Sequence, residues 1–338
     1  MKARVNLLAL LSLTLAAAAC DSSRLTWGDG NSIIVTMRPD LWTEVQDDVY
    51  SNLETTTYTV RDEKNFTVTY ADPSDEDWRN LRRFRVMLVV GRADDWFMQD
   101  VLGKLKDPEP GVHEVERVWS QDQSVTVVLL PEEGEADFLR DRLPALHDRF
   151  DEGFRVYTFR RMFQTGPDTA LAGTLRRNFG FELTVPNVYD WEDRDSVFIF
   201  RNDNPDPSEL IRQVAVTWAA PLPEGLQGED LVEWRTRLSE SHYTNAQVTD
   251  VRQVTGRPFE HRGRPAYEVS GRWSNPPELG WPAGGTYIAR GIPCPEQDRM
   301  YLLDAWLYAP GREHYEYVIQ LNYVLDTFRC GANLASTP

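Results

Sequence analysis

Met300 to Phe328 reads MYLLDAWLYAPGREHYEYVIQLNYVLDTF. Met300–Tyr308 is a strand, and Pro310-Gly311 then reverses the chain. Beyond the turn, Tyr317, Val318, Leu321, Val324, Leu325 and Phe328 fall at i, i+1, i+4, i+7, i+8 and i+11. That spacing predicts one apolar stripe on a helix over 312–328, running back over the sheet to which the strand belongs. Further strands precede it at 181–185, 197–201, 210–218, 247–254, 266–273 and 286–289, with a single helix at 229–239. Strands that follow one another without intervening helices point to antiparallel pairing and an α+β architecture, not a doubly wound parallel sheet.

Upstream, Gln164–Thr174 (QTGPDTALAGT) is rich in Gly, Pro and small residues and is read as a domain boundary. The first half opens with the strand Ser32–Met37 and a helix from Pro39 to Leu53, with Leu41, Val45 and Val49 four apart. Strands follow at 65–70 and 84–90, then a helix at 93–105 and a hairpin of 112–119 with 124–130. Leu139, Leu143, Leu146 and Phe150 mark an amphipathic helix that Pro144 and Gly153 would kink or split. The expectation is two domains, an α/β domain over 32–165 and an α+β domain over 175–331. Their sheets are mainly antiparallel and covered by amphipathic helices.

The first residues carry an address. Lys2 and Arg4 precede an uncharged Leu/Ala run that ends in Ala17-Ala18-Ala19-Cys20. This is the layout of a secretory signal, shorter than the roughly 20 residues of a spanning helix. Residues 1–19 are read as signal peptide and 20–31 as a polar tether. Cys20 behind the small residues resembles the lipobox of bacterial lipoproteins, which implies a lipid-anchored Cys20 and an envelope location facing the periplasm or cell exterior. Ala17 stands where such boxes more often have Leu. An ordinary cleaved signal and a short uncleaved anchor are the alternatives.

The chain has 36 basic and 53 acidic residues. The signal holds two of the basic ones, which leaves 34 against 53, or −19, beyond it. Such a chain repels nucleic acid and anionic head groups. Hydrophobic residues at 41% and eleven Trp exclude a wholly disordered chain. With Cys20 assigned to lipid, Cys294 and Cys330 remain, an even pair in an oxidising compartment. A terminal helix about 25 Å long would deliver Cys330 beside Cys294. Two unpaired thiols are the alternative.

No reaction class is legible. The five histidines, 113, 147, 242, 261 and 314, form no H-x-x-x-H or HExxH pair, and no G-x-S-x-G elbow occurs. Gly284-Gly285 lacks the lysine and helix start of a phosphate loop. The acidic turns Asn202–Glu209 and Asp190–Asp195 offer oxygen ligands without EF-hand spacing and are read as solvated turns. No metal or cofactor is expected. Trp273 and Trp281 flank the loop Ser274-Asn275-Pro276-Pro277, and with Arg272 and Arg290 they are the candidate ligand or partner surface. The alternative, which the ease of burying large aromatics favours, is that they cover a sheet end.

The order of strands, one helix, a run of strands and a terminal amphipathic helix resembles the PsbP/Mog1-type layout. Arg177-Asn178-Phe179-Gly180-Phe181, Val185-Pro186, Gly271-Arg272-Trp273, Gly284-Gly285-Thr286-Tyr287 and Tyr308-Ala309-Pro310 carry a closer resemblance. Together with the lipobox and Ile33-Ile34-Val35, they resemble the DUF4837 family of bacterial lipoproteins. The departures are Thr286-Tyr287 in place of Pro-Phe, and Arg312-Glu313 in place of a basic pair. That resemblance implies a compartment and an architecture but no activity. The expected role is non-catalytic binding of an envelope protein or small ligand by a membrane-anchored lipoprotein. The alternative is a hydrolase acting on an envelope glycan or peptide through paired carboxylates.

Overall fold

The computed structural model describes residues 25–225, 228–276, 278 and 282–331. Cys20, residues 21–24 of the tether, and Trp281 lie outside the described residues. The chain is mixed α+β and divides into two compact units. One holds the described residues up to Thr55 and Lys64–Phe154; the other holds Thr56–Glu63 and the chain from Arg155 onward.

The first unit begins with β1 (Ser32–Thr36) and α1 (Pro39–Leu53). Pro39 opens α1 where a missing N–H is harmless, and Leu41, Val45, Val49 and Leu53 are buried four apart. Then come β2 (Thr56–Tyr58) and β3 (Asp62–Lys64), of which 56–63 belong to the second unit. The chain continues through β4 (Thr67–Tyr70), α2 (Trp78–Leu81), β5 (Val86–Gly91), α3 (Gln99–Leu102), β6 (Gly111–Glu116) and β7 (Ser124–Leu129). The sheet order is β4-β1-β5-β7-β6, parallel except for β6 on β7. Antiparallel character is therefore a property of the second unit's sheet. Here a helix lies between parallel neighbours, and Met87–Val90 are all buried, as in a sheet covered on both faces. The helix expected at 93–105 is a 3-10 turn at Trp96–Met98 leading into α3. Asp95 Oδ2 accepts the Arg92 N–H at 2.7 Å and closes a turn in residues that a longer helix would need. The Leu139–Phe150 stripe is split between α4 (Glu135–Arg140) and α5 (Leu143–Met162), with Pro144 in the first turn of α5.

The second unit continues with α6 (Thr169–Phe179), which begins inside the stretch 164–174 expected as a boundary loop. Asp168 caps it, its Oδ1 accepting the Leu171 N–H at 2.8 Å, and Gly180 ends it at φ +81°. The small residues form a helix face on which Leu171, Ala172 and Leu175 are buried. Next are β8 (Phe181–Glu182), β9 (Asp190–Arg194), β10 (Val197–Asn202), β11 (Ile211–Ala219) and α7 (Gly228–His242). Then follow β12 (Val248–Thr249), β13 (Thr255–His261), β14 (Arg264–Ser274), β15 (Gly284–Cys294), β16 (Arg299–Tyr308), α8 (Tyr315–Asp326) and β17 (Arg329–Cys330). Eight of these strands make one antiparallel sheet, β12-β14-β15-β16-β11-β10-β9, with β13 pairing β14.

Period-two alternation gives this sheet two buried faces. Val214, Val216, Leu303, Ala305 and Leu307 pack in one cluster with Leu321, Val324, Leu325 and Phe328, the stripe of α8 and its end. Ala215, Tyr287, Leu302 and Trp306 pack in another with Leu231 and Leu238 of α7. Among the described residues no helix is long and apolar enough to cross a membrane.

Candidate functional site

A pocket of about 440 Å³ opens where β14 and β16 finish and β15 starts. Its strands meet there because two glycines let them. Gly284 pairs with Ser274, and Gly285 with Trp273. A Cβ on Gly284 would lie 2.9 Å from the Trp273 carbonyl oxygen, and one on Gly285 would collide with that of Leu307. Gly284-Gly285 is thus a close-approach device between backbones. Gly311, at φ +72°, completes the turn after β16.

The opposite wall is Val60 and Arg61, from the turn between β2 and β3. Glu63 holds that turn. Its Oε2 accepts the His314 N–H at 2.6 Å, and its Oε1 lies 3.2 Å from His314 Nδ1. Thr59 Oγ1 is 3.3 Å from the same Nδ1, while Nε2 donates to the Ala309 carbonyl at 3.2 Å. Burial pushes the Glu63 carboxyl up, but the hydrogen bonds from His314 outweigh it and hold Glu63 below the ordinary carboxylate range. On β14, Arg272 donates to the Val60 carbonyl at 3.2 Å and to Asp250 Oδ2 at 3.1 Å. Desolvation likewise raises Asp250, and hydrogen bonds from Arg252 and Arg272 win, leaving it below the usual range. Arg312, from the turn before α8, lines the pocket and donates to Glu209 Oε2 at 2.6 Å.

The four surface candidates read from the sequence do not form one patch. Arg272 faces the pocket. Trp273 also borders it but is only 5% exposed; its indole N–H donates to the Leu307 carbonyl at 3.2 Å, and its ring meets Trp306 edge-on at 5.2 Å. It belongs to the core on the α7 face, because successive strand residues point to opposite sides. Arg290, 4% exposed, is bound to Glu268 (2.7 Å), Asp326 (2.6 Å) and Asn322 (2.8 Å). Trp281 lies outside the described residues.

Cys294 and Cys330 are joined in a disulfide, their Cα atoms 5.9 Å apart. With Glu296 they are the one metal-like grouping of His, Cys and acidic groups among the described residues, and the disulfide accounts for it. In the turn after β10, Asp206 Oδ1 accepts the Ser208 N–H (2.7 Å) and hydroxyl (2.6 Å), so that oxygen is engaged within the turn itself. Arg61, Glu63, His314 and Arg312 were invisible as a group in the sequence, since Glu63 and His314 are 251 positions apart.

An α+β protein with a ligand-sized, arginine-lined pocket is the class these features define. Within it, residues 168–327 match the family model described as Domain of unknown function (DUF4837). Cys20 and Ile33–Val35 lie outside the matched residues. No curated protein matches in sequence. Among solved structures, the chain is similar to cyanobacterial PsbP (CyanoP) from Synechocystis sp. PCC 6803, with 13% identity and TM-score 0.31, covering 45% of this chain and 86% of that one. It is also similar to the Saccharomyces cerevisiae Ran-binding protein Mog1p, with 13% identity and TM-score 0.32, covering 46% and 93%. At such scores the likeness carries no argument.

Proposed function

We propose that this chain is a lipoprotein of the cell envelope, anchored through Cys20, that binds a small ligand or partner in the Arg61–Arg272–Arg312 pocket without turning it over. The anchor rests on the signal layout ending in Ala17-Ala18-Ala19-Cys20. The observation that carries the binding reading is the state of two acids: Asp250, which lines the pocket, and Glu63, which bonds the lining residue His314. Glycoside hydrolysis by paired carboxylates needs one acid kept protonated as proton donor. Asp250 and Glu63 are both held below the ordinary range, so both are charged at neutral pH. His314 is no better placed as a base for Ser274, because its ring nitrogens face Thr59, Glu63 and the Ala309 carbonyl.

The test uses native protein extracted in detergent. The wild type should partition into the detergent phase, carry an acylated Cys20 by mass, and release a bound compound or partner unchanged. Cys20→Ser should stay uncut or soluble. Conversion of an envelope glycan or peptide, abolished by Asp250→Asn, would overturn the binding reading.

A further inference from the structure

The pocket gathers basic groups in a chain that has few to spare. Acids outnumber bases 53 to 36 along the sequence, yet Arg61, Arg272 and Arg312 line this space against a single acid, Asp250. They arrive from three separate segments: the β2–β3 turn, β14, and the turn before α8. From these observations, and resting on the binding reading above, we infer that the ligand presents an oxyanion to this pocket: a carboxylate or phosphate group on a small molecule.

Three features support that chemistry. A guanidinium offers five N–H donors in a planar fork that matches two oxygens at once. Arg272 commits one donor to Val60 and one to Asp250. Those bonds hold the side chain in place, and it remains 30% exposed. Arg61 is 66% exposed and approaches Glu63 Oε1 only at 3.5 Å, while Glu63 is engaged by His314. Arg312 is 39% exposed, and its partner Glu209 is not among the lining residues. Finally, Gly284, Gly285 and Gly311 place no side chain in the space, so the anion's carrier has room beside the arginines.

The ion pairs have a second consequence. An incoming anion competes with Asp250 for Arg272 and with Glu209 for Arg312, so affinity falls as salt rises. A neutral ligand would show no such dependence.

Calorimetric titration of the full-length protein in detergent, with inorganic phosphate, succinate and a neutral sugar as probes, tests the inference. Phosphate or succinate should bind, the sugar should not, and the difference between the two anions separates phosphate from carboxylate recognition. Binding should weaken at least tenfold in the double variant Arg61→Gln/Arg312→Gln, with the thermal transition recorded to show that the fold is kept. Arg272→Gln should abolish it, with the thermal transition recorded alongside. Sugar binding equal to that of the anions, or anion binding unchanged in the double variant, overturns the oxyanion inference and leaves the binding reading standing. Absence of heat from both anions at tens of millimolar overturns it too. Only turnover, measured separately, bears on the binding reading itself.

Discussion

The two faces of the eight-stranded sheet each bury an arginine, and they satisfy it differently. On the α7 face, Arg235 and Asp304 are both 0% exposed. Arg235 Nε donates to Asp304 Oδ1 at 2.9 Å, Nη1 to Thr249 at 3.2 Å, and Nη2 to Gln247; the guanidinium lies 3.9 Å over the Tyr287 ring. The Tyr243 hydroxyl takes the other Asp304 oxygen at 2.5 Å. Every partner is protein. On the α8 face, Arg290 reaches Glu268, which Arg257 also binds, and Asp326, whose side chain is 60% exposed. That network opens to solvent at Asp326. A closed network leaves a naked charge when one member is lost, whereas an open one lets solvent replace the missing partner.

The largest expected effect follows from the closed face. Arg235→Leu should cost about 3–5 kcal/mol in urea unfolding, because Asp304 loses its ion-pair partner at a fully buried site and keeps only the Tyr243 hydroxyl. Replacing both, as Arg235→Met/Asp304→Leu, should recover much of that loss; no recovery would break the account of a closed pair. Next comes the covalent tie on the α8 face. Cys294→Ala/Cys330→Ala opens a loop with a sequence separation of 36 and should cost about 2–4 kcal/mol. Two alkylated thiols in the unreduced wild type would remove that expectation. Arg290→Leu should be milder than Arg235→Leu, about 1–3 kcal/mol, since water can reach Asp326. Equal losses at the two arginines would end the comparison.

The smallest effect is a slope with pH, and two buried acids contribute with opposite sign. Glu63 is lowered in the fold, so its stabilisation is complete above its unfolded pKa, near 4.3, and is lost as pH falls through the lower folded value. Asp304 is raised by full burial, against Arg235 and the Tyr243 hydroxyl, so its contribution is present at low pH and lost as pH rises through the folded value. Glu63→Gln should therefore be destabilising at pH 7, with the gap to wild type closing below about pH 4. Urea midpoints at the two pH values measure this, and a gap that widens on acidification would contradict the assignment.

Much of the second unit was legible because burial there follows period. The stripe from Tyr317 to Phe328 and the strand 300–308 are enough to place α8 against the sheet. The same rule would have found Arg235: Leu231, Arg235, Leu238 and Ser239 fall at i, i+4, i+7 and i+8 and are all buried. Its charge, between Glu233 and Arg237, disguised it as a surface residue. β13 went unseen because Gly256 and Pro258 break the strand pattern, which an edge position tolerates. In the first unit, composition could not show that the strands pair in parallel. In the second, the small residues of 169–174 read as linker when they are a capped helix. The pocket was half visible through Arg272. Its other wall comes from a polar segment, Thr56–Glu63, whose partners lie some 200 to 250 residues further on.

That segment also sets an order of events during synthesis. The ribosome releases Thr56–Glu63 early, but His314 and the turn of Gly311 and Arg312 emerge only near the end of the chain. A contact spanning 251 positions forms after the local ones, once that loop can close. The β2–β3 turn must therefore wait, unpaired with its final neighbours, while translation proceeds. A fragment cut at the family bounds, 168–327, would never receive that wall, and it would lack Cys330 as well. The lining of this space is complete only when Val60, Arg61 and the turn at 309–314 are all present, so a chain that stops short of that turn has no such pocket.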